Sequence, residues 1–374
     1  MNLVFLSGLI YVALGLYLGP NGINVLSPQI LKGLTPLISL GLGWIGFLFG
    51  FQLEYKYLRR FPRKYLRLSF FQSLTVVFLV SLISILALRY LFSAQTNFII
   101  YGLAVAFGLL TSLNSPTLLN AVSLKISSRG EAFYLARFLV SISAFWGILG
   151  LAFLACFWHY PFLQTRVIFQ GSVLFGLATL LPFLLGFLFH RLTKKKASDQ
   201  DLLVYLLGLV FFVSGVAFYF NLPPLYMCLI LGISYTNLTK TQERLYPLLL
   251  STEKPLFILF LILIGAFFDF RFSPEVGILV GILLVGRIAS YSLPLPLLKP
   301  LLRLDNSLPI LFGLCFLSSG GVGVAFAVSL KLTHPLPLTD VFLSAALVLI
   351  IVSEVLGPVA LRISLEKLDS EGAS

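Results

Sequence analysis

Long apolar runs separated by short polar breaks organise this chain from end to end. Divided at charged or Pro/Gly-rich breaks, the runs predict twelve helices. Their approximate limits are 3–18, 35–53, 69–92, 98–124, 132–157, 166–190, 202–220, 223–238, 255–270, 275–294, 308–331 and 340–362. Transmembrane strands would alternate apolar and polar positions with a period of two, whereas these runs are continuous and of helix-spanning length. The first and eighth are short, roughly 24 Å each at the helical rise, against a hydrocarbon core of about 30 Å. Such helices must be little tilted or broken around a cavity.

Composition agrees with an all-α membrane protein. Of 374 residues 59% are hydrophobic and only 11% charged, with a mean hydropathy of +1.01. A soluble domain carries about 25% charged residues. The net charge of +12 invites a nucleic-acid reading, but the Lys and Arg sit in short loops between apolar runs, where they mark the cytoplasmic side. Nineteen fall on one set of alternate loops, including Lys56, Arg59, Arg60, Arg63, Lys64 and Arg67, and five on the other. Arg137 and Arg287 fall within spans. The asymmetry places both termini inside, makes the lipid bilayer the surrounding partner and excludes nucleic acid. Cys156, Cys228 and Cys315 are far apart in apolar runs and imply neither metal nor disulfide. The start shows no basic n-region and no cleavage site of a signal peptide. The polar tail after Ile363 is too short for a soluble regulatory domain, so the expectation is one integral membrane domain over 1–374.

Two spans are interrupted in a similar way. The fourth contains Thr111-Ser112-Leu113-Asn114-Ser115-Pro116-Thr117, and the eleventh contains Ser318-Ser319-Gly320-Gly321-Val322-Gly323. Proline removes a backbone donor and glycine weakens a helix. The freed backbone groups are tolerated at membrane depth only where protein buries them or a wet cavity receives them. Lying seven spans apart, the two helices run in opposite directions, which predicts inverted halves of roughly 1–165 and 200–365. Paired interruptions of this kind point to the binding site of a secondary transporter. The competing explanation is close packing at small residues, which is also expected for Gly46/Gly50 and Gly277/Gly281.

The chain resembles the monovalent cation:proton antiporter superfamily, especially its bacterial sodium/proton and potassium-efflux branch. Gly15-Leu16-Tyr17-Leu18-Gly19-Pro20-Asn21-Gly22 is similar to the family's early G-x-x-x-G-P-x-G segment. Gly46 to Glu54 resembles a characteristic helix end, as does PLFILFLILIGAFFDF from Pro255 to Phe270. Ser353-Glu354-Val355-Leu356-Gly357-Pro358 is also similar. The resemblance implies two discontinuous crossing helices, here the fourth and eleventh, and a second domain that often forms a homodimer interface. It also implies exchange of Na⁺ or K⁺ for H⁺, with Arg287 where the family usually has Lys or Arg. It departs in one place above all: family exchangers carry an Asp in the span after the first broken helix. No Asp or Glu occurs here between Glu131 and Asp199, and the equivalent stretch reads Ser141-Ile142-Ser143-Ala144-Phe145-Trp146. The eleventh span lacks the Glu often found after its Gly, and the helix that usually precedes the G-P segment is not in this sequence.

Intramembrane charges are functional candidates by default. Arg287 is central in its span; it serves a site or fixes structure through a pair or a helix-end contact. Arg137 lies near the cytoplasmic end and can snorkel. Glu354, deep in the last span, can pair with Arg287, titrate, or make a cytoplasm-side contact. Glu54, Glu253 and Asp269 sit near helix ends, as do His159, His190 and His334. Asn114, Ser115 and Thr117 offer oxygens to a dehydrated cation, and Ser141, Ser143, Ser318 and Ser319 complete the ion-binding candidates. No phosphate loop, nucleophile–base pair or ligand cluster appears, so neither an enzyme nor a cofactor is expected. The leading expectation is a secondary transporter in the bacterial cytoplasmic membrane that exchanges a monovalent cation for protons by alternating access. An anion or organic-acid carrier on the same fold, and a non-transporting membrane subunit or sensor, are the alternatives.

Overall fold

The computed structural model describes residues 3–20, 22–59, 61–92, 95–115, 131–158, 165–193, 199–239, 242–267, 273–292 and 310–372, with no strand among them. In chain order the helices are α1 (Leu3–Leu18), α2 (Pro28–Phe51), α3 (Tyr55–Leu58), α4 (Arg63–Leu91), α5 (Asn97–Ser112), α6 (Glu131–Phe157), α7 (Thr165–Thr193), α8 (Asp199–Tyr219), α9 (Pro224–Leu238), α10 (Gln242–Phe267) and α11 (Pro274–Ser292). A 3₁₀ segment (Ile310–Phe316), α12 (Gly320–Thr333) and α13 (Pro337–Gly372) complete the chain. Thr117, His159 and Asp269 lie outside the described residues.

Each of the twelve predicted spans holds helix, and eight helices are long and apolar enough to cross a membrane. This is a multi-pass membrane protein. Boundaries differ where proline or charge predicts a stop. Helix α2 begins at Pro28 rather than near 35, with proline in its first turn, where the missing N–H costs nothing. Helix α10 begins at Gln242 rather than at 255 and carries Pro247 and Pro255 inside it. Membrane helices tolerate internal proline because neighbouring helices re-satisfy the freed carbonyls. Helix α13 is 36 residues long and continues past the predicted end at 362.

The chain forms two compact units, each assembled from separated stretches. One comprises Met1–Arg60, Ala155–Phe270 and Val328–Pro335. Its densest packing is between α2 and α9, and glycine makes it so. A Cβ on Gly46 would meet the Leu225 carbonyl oxygen at 2.1 Å, and one on Gly50 the Leu229 oxygen at 2.1 Å. From the other side, a Cβ on Gly232 would lie 2.3 Å from the Phe47 oxygen. The short α9, 15 residues long, is buried along most of its length, which removes the need to match the bilayer thickness. Gly46 and Gly50 therefore pack as expected. Gly277 and Gly281 do not: a Cβ on either meets nothing within 4 Å. Both are exposed on α11, so they face away from the helices that pack on it.

The second unit comprises Phe61–Leu154, Arg271–Ala327 and Leu336–Ser374. Here α4 packs on α5 and α11, and α13 packs on the 3₁₀ segment and α11. Within this unit both interrupted helices meet.

Candidate functional site

Helix α5 stops at Ser112, and Leu113 is extended, with φ −76° and ψ 132°. Thr111 and Ser112 turn their hydroxyls back onto their own helix, donating to the carbonyls of Phe107 or Gly108 and of Leu109. The chain then runs through Asn114 and Ser115 without helical hydrogen bonds. The other interruption falls between the 3₁₀ segment and α12, at Leu317–Ser319. The two unwound stretches touch: the Ser115 amide donates to the Ser318 carbonyl at 2.9 Å. Gly320 opens α12 at φ +58°, a left-handed conformation that favours glycine. A Cβ there would sit 2.4 Å from Ser115 Oγ, so no larger residue fits this approach.

Breaking a helix leaves carbonyls at its C-terminal end and amides at its N-terminal start, with partial negative and positive charge respectively. Both kinds of end are met by side chains of the opposite sign. Arg287 of α11 has no solvent exposure. Its Nη2 donates to the Leu113 carbonyl at 2.9 Å and the Phe316 carbonyl at 3.3 Å, the C-terminal ends of both interrupted segments. Its Nη1 donates to Ser319 Oγ at 2.5 Å. The guanidinium thus reaches both breaks at once, with Nη2 shared between the two carbonyls and Nη1 on Ser319. Nε has no hydrogen-bond partner among the described residues.

Glu354 of α13 takes the opposite end. Its Oε1 accepts from the Gly320 amide, at the start of α12, and from Ser318 Oγ, each at 2.6 Å. Its Oε2 is buried with no hydrogen-bond partner among the described residues. One guanidinium and one carboxylate thus meet the same crossing.

Asn114 lies between the two breaks and is 2% exposed. One end of its carboxamide is 2.6 Å from the Phe316 carbonyl oxygen and 3.2 Å from that of Leu113; the hydrogen-bond network assigns this end as Nδ2. The other end, Oδ1, accepts from Ser143 Oγ of α6 at 3.1 Å and from the Tyr291 hydroxyl at 2.9 Å. The Tyr291 ring stacks on Phe316 with centroids 5.4 Å apart.

Asn114, Ser115, Ser143, Arg287, Ser318, Ser319 and Glu354 therefore come together. Ser141 does not join them. It is half-exposed and donates to the Arg137 carbonyl one turn back at 2.9 Å, because residues two apart on a helix face different ways. Arg137 is exposed, as a snorkelling residue would be. His334 is buried against the ring of Trp158 and hydrogen-bonded to Thr333, in the first unit.

No protein-family model matches the chain, and no curated protein does. Solved structures match it closely in shape. One is the sodium proton antiporter MjNhaP1 from Methanocaldococcus jannaschii at pH 8, with a TM-score of 0.68 over 95% of this chain and 92% of that one, at 15% identity. An electron-microscopy structure of the same antiporter matches with a TM-score of 0.68 over 96% and 90%, also at 15% identity. The fold is that of a sodium/proton antiporter. The likeness runs nearly end to end, so the resemblance drawn from short motifs extends to the architecture of the whole chain.

Sequence reading missed Tyr291, together with the carbonyls of Leu113 and Phe316. Tyr291 carried a usable signal, since it follows Arg287 by four residues and so lies on the same face of α11. The carbonyls carried none, because only the backbone path exposes them.

Proposed function

We propose that this protein is a secondary transporter that exchanges a monovalent cation, Na⁺ or K⁺, for protons by alternating access, with Glu354 as the carboxylate for which both compete. The observation that carries this reading is the carboxylate on the crossing itself, joined to Gly320 and Ser318 through one oxygen while the other has no partner among the described residues. A carboxylate suits exchange because protonation removes the charge that holds a cation. Glu354 thus supplies the chemistry that the superfamily usually draws from an Asp in the fifth span, where this chain has none. The fold likeness supports transport, and the alternation of basic loops supports an orientation with both termini cytoplasmic in a bacterial inner membrane.

The anion-carrier reading draws support from the unpartnered Nε of Arg287. Against it, the positive end of α12, where an anion would bind, already holds the protein's own carboxylate. The test is proton flux in reconstituted vesicles driven by gradients of Na⁺, K⁺ or Li⁺. Flux with at least one of them, lost in Glu354→Gln, is the expected result. No flux with any of the three across the pH range defeats the proposal. Organic-anion uptake that Arg287→Gln abolishes and Glu354→Gln spares would establish the alternative instead.

A further inference from the structure

Helix α4 packs on α5 and α11 along one face and leaves the opposite face open. The open face begins with Arg63 and Arg67, both exposed, and continues through Phe71, Leu74, Phe78 and Leu82, which are exposed as well. Helical spacing keeps these six positions within roughly 100° of one another around the axis. Aromatic contacts hold the first turn in this setting. Phe61, just before α4, and Tyr65 lie with ring centroids 4.3 Å and 6.3 Å from that of Phe138 on α6. Lys64 folds over the Tyr65 ring at 5.5 Å. The two arginines lie on the other side of the helix, away from this anchor.

Charge and depth give the face its character. Six Lys and Arg fall between Lys56 and Arg67, and no Asp or Glu occurs between Glu54 and Glu131. The first turn of α4 carries no acid. Tyr90, 86% exposed near the far end of the helix, stands roughly 35 Å from Arg67 at the helical rise. A hydrocarbon core of about 30 Å fits between them, which puts Arg63 and Arg67 at headgroup depth. Phe78 lies roughly 16 Å further along, near the bilayer midplane. The stripe from Arg67 to Phe78 thus matches one leaflet in length.

We propose that this face of α4 binds an anionic phospholipid, with its phosphate on Arg63 and Arg67 and an acyl chain along Phe71, Leu74 and Phe78. Lipid covers an exposed apolar face in any membrane; the arginines add selection by headgroup. Two guanidinium forks one turn apart suit the oxygens of one phosphate. A zwitterionic lipid offers the same phosphate but carries its own cation, which cancels much of the attraction. A soluble phosphate meets the charge and leaves the stripe unused. The preference of basic loops for one side of the membrane accounts for cations at this level, but not for their register with an apolar stripe. The inference does not rest on the cation-exchange reading. It concerns the helix packed against α11, which carries Arg287, and α5, which leads to Asn114.

The experiment titrates the full-length protein in a non-ionic detergent with phosphatidylglycerol, with phosphatidylcholine of the same acyl chains, and with inorganic phosphate. Bound lipid is counted by native mass spectrometry and stabilisation is read by thermal shift. Phosphatidylglycerol should bind at lower concentration than phosphatidylcholine and raise the melting temperature, and inorganic phosphate should not. A charge near a lipid surface is worth about fivefold in affinity. Arg63→Gln/Arg67→Gln should therefore weaken phosphatidylglycerol binding about thirtyfold and leave phosphatidylcholine binding unchanged. Lys56→Gln/Arg59→Gln removes the same charge from the α3 segment and should cost much less. Arg67→Gln alone, with about a fivefold loss, serves if the α4 double variant is not recovered folded. Equal losses in the two double variants would show a diffuse basic surface and overturn the proposal. Equal binding of the two phospholipids by the wild type, or stabilisation by inorganic phosphate that matches phosphatidylglycerol, would overturn it too.

Discussion

Two buried regions of this molecule solve the problem of a polar backbone inside a membrane in opposite ways. Where α2 lies on α9, both helices run without interruption and glycines bring the two backbones together. Where α5 meets the 3₁₀ segment and α12, both helices are interrupted and the freed groups are satisfied by Arg287, Glu354 and Asn114. The first contact is inert and rests on shape. The second depends on charge and hydrogen bonding, so it responds to whatever ion or proton enters it. Irregular backbone at membrane depth is expensive, and here it occurs where the polar side chains collect.

Substitutions that add volume to the first region should have the largest effect. A Cβ on Gly46 or Gly50 would meet a carbonyl oxygen at 2.1 Å, and a backbone oxygen within a helix cannot swing aside as a side chain can. Overpacking ordinarily costs about 1–3 kcal/mol, and backbone contact puts this case at the upper end or beyond. Gly46→Val and Gly50→Val should leave little monodisperse protein on size-exclusion chromatography. A well-behaved Gly46→Val protein with wild-type thermal stability would show that the two helices can separate at no cost, and the contrast would lose one side.

Arg287→Met should come next. It strands the Leu113 and Phe316 carbonyls and Ser319 Oγ, and leaves Glu354 as an uncompensated charge in the same unit. Hydrogen bonds to a charged group are worth about 1.5–3 kcal/mol each, so both a lower melting temperature and complete loss of transport are expected. Glu354→Gln should separate those two outcomes. Its amide oxygen can still accept from the Gly320 N–H, so stability should change by about 1 kcal/mol or less, while proton-coupled flux disappears. If stability fell as far as in Arg287→Met with flux retained, Glu354 would be a helix cap and not the exchanging group.

The sequence made the architecture legible and left the site half legible, for physical reasons. Bilayer thickness forces long apolar runs, so helices such as α4 and α7 are visible from composition alone. Pro116 and the Gly320-Gly321 pair weaken a helix whatever surrounds them, so the interruptions could be read too. Charge burial marked Arg287 and Glu354 for the same reason: each is costly unless it has work or partners. Partner identity depends on the folded path. Ser141 and Ser143 are equivalent on paper, but helical rotation sends only Ser143 to Asn114. The Gly277-x-x-x-Gly281 spacing is likewise identical to that of Gly46 and Gly50, and spacing alone cannot say whether a second helix lies opposite. Pro255 misled in the other direction, because a proline stops a helix in water more reliably than among packed membrane helices.

Serine makes a finer contrast inside the second region. Ser143→Ala removes a hydroxyl that bonds the buried Asn114 carboxamide, a loss of about 1 kcal/mol that should lower the melting temperature. Ser141→Ala removes only a back-bond to the Arg137 carbonyl of its own helix, and should leave transport and melting temperature within error. Equal effects from the two would mean that Asn114 does not depend on α6.

The smallest effect should come from Gly277→Ala and Gly281→Ala. Nothing lies within 4 Å of the added methyl in either case, and both positions are exposed on α11. Replacing glycine by alanine inside an unobstructed helix restricts the unfolded chain and improves helix propensity, so stability should stay level or rise by up to about 1 kcal/mol. The comparison with Gly46 is demanding because motif, spacing and residue type are all held constant. Only the backbone opposite differs. A melting temperature that drops in Gly277→Ala as it should in Gly46→Ala would mean that another helix covers this face of α11, from a second copy of the chain or from a partner. The glycine pair would then belong with Gly46 and Gly50 as a packing seam. An unchanged or higher value, with transport intact, leaves that face of α11 to lipid and confines the function of the helix to the opposite side, where Arg287 and Tyr291 point.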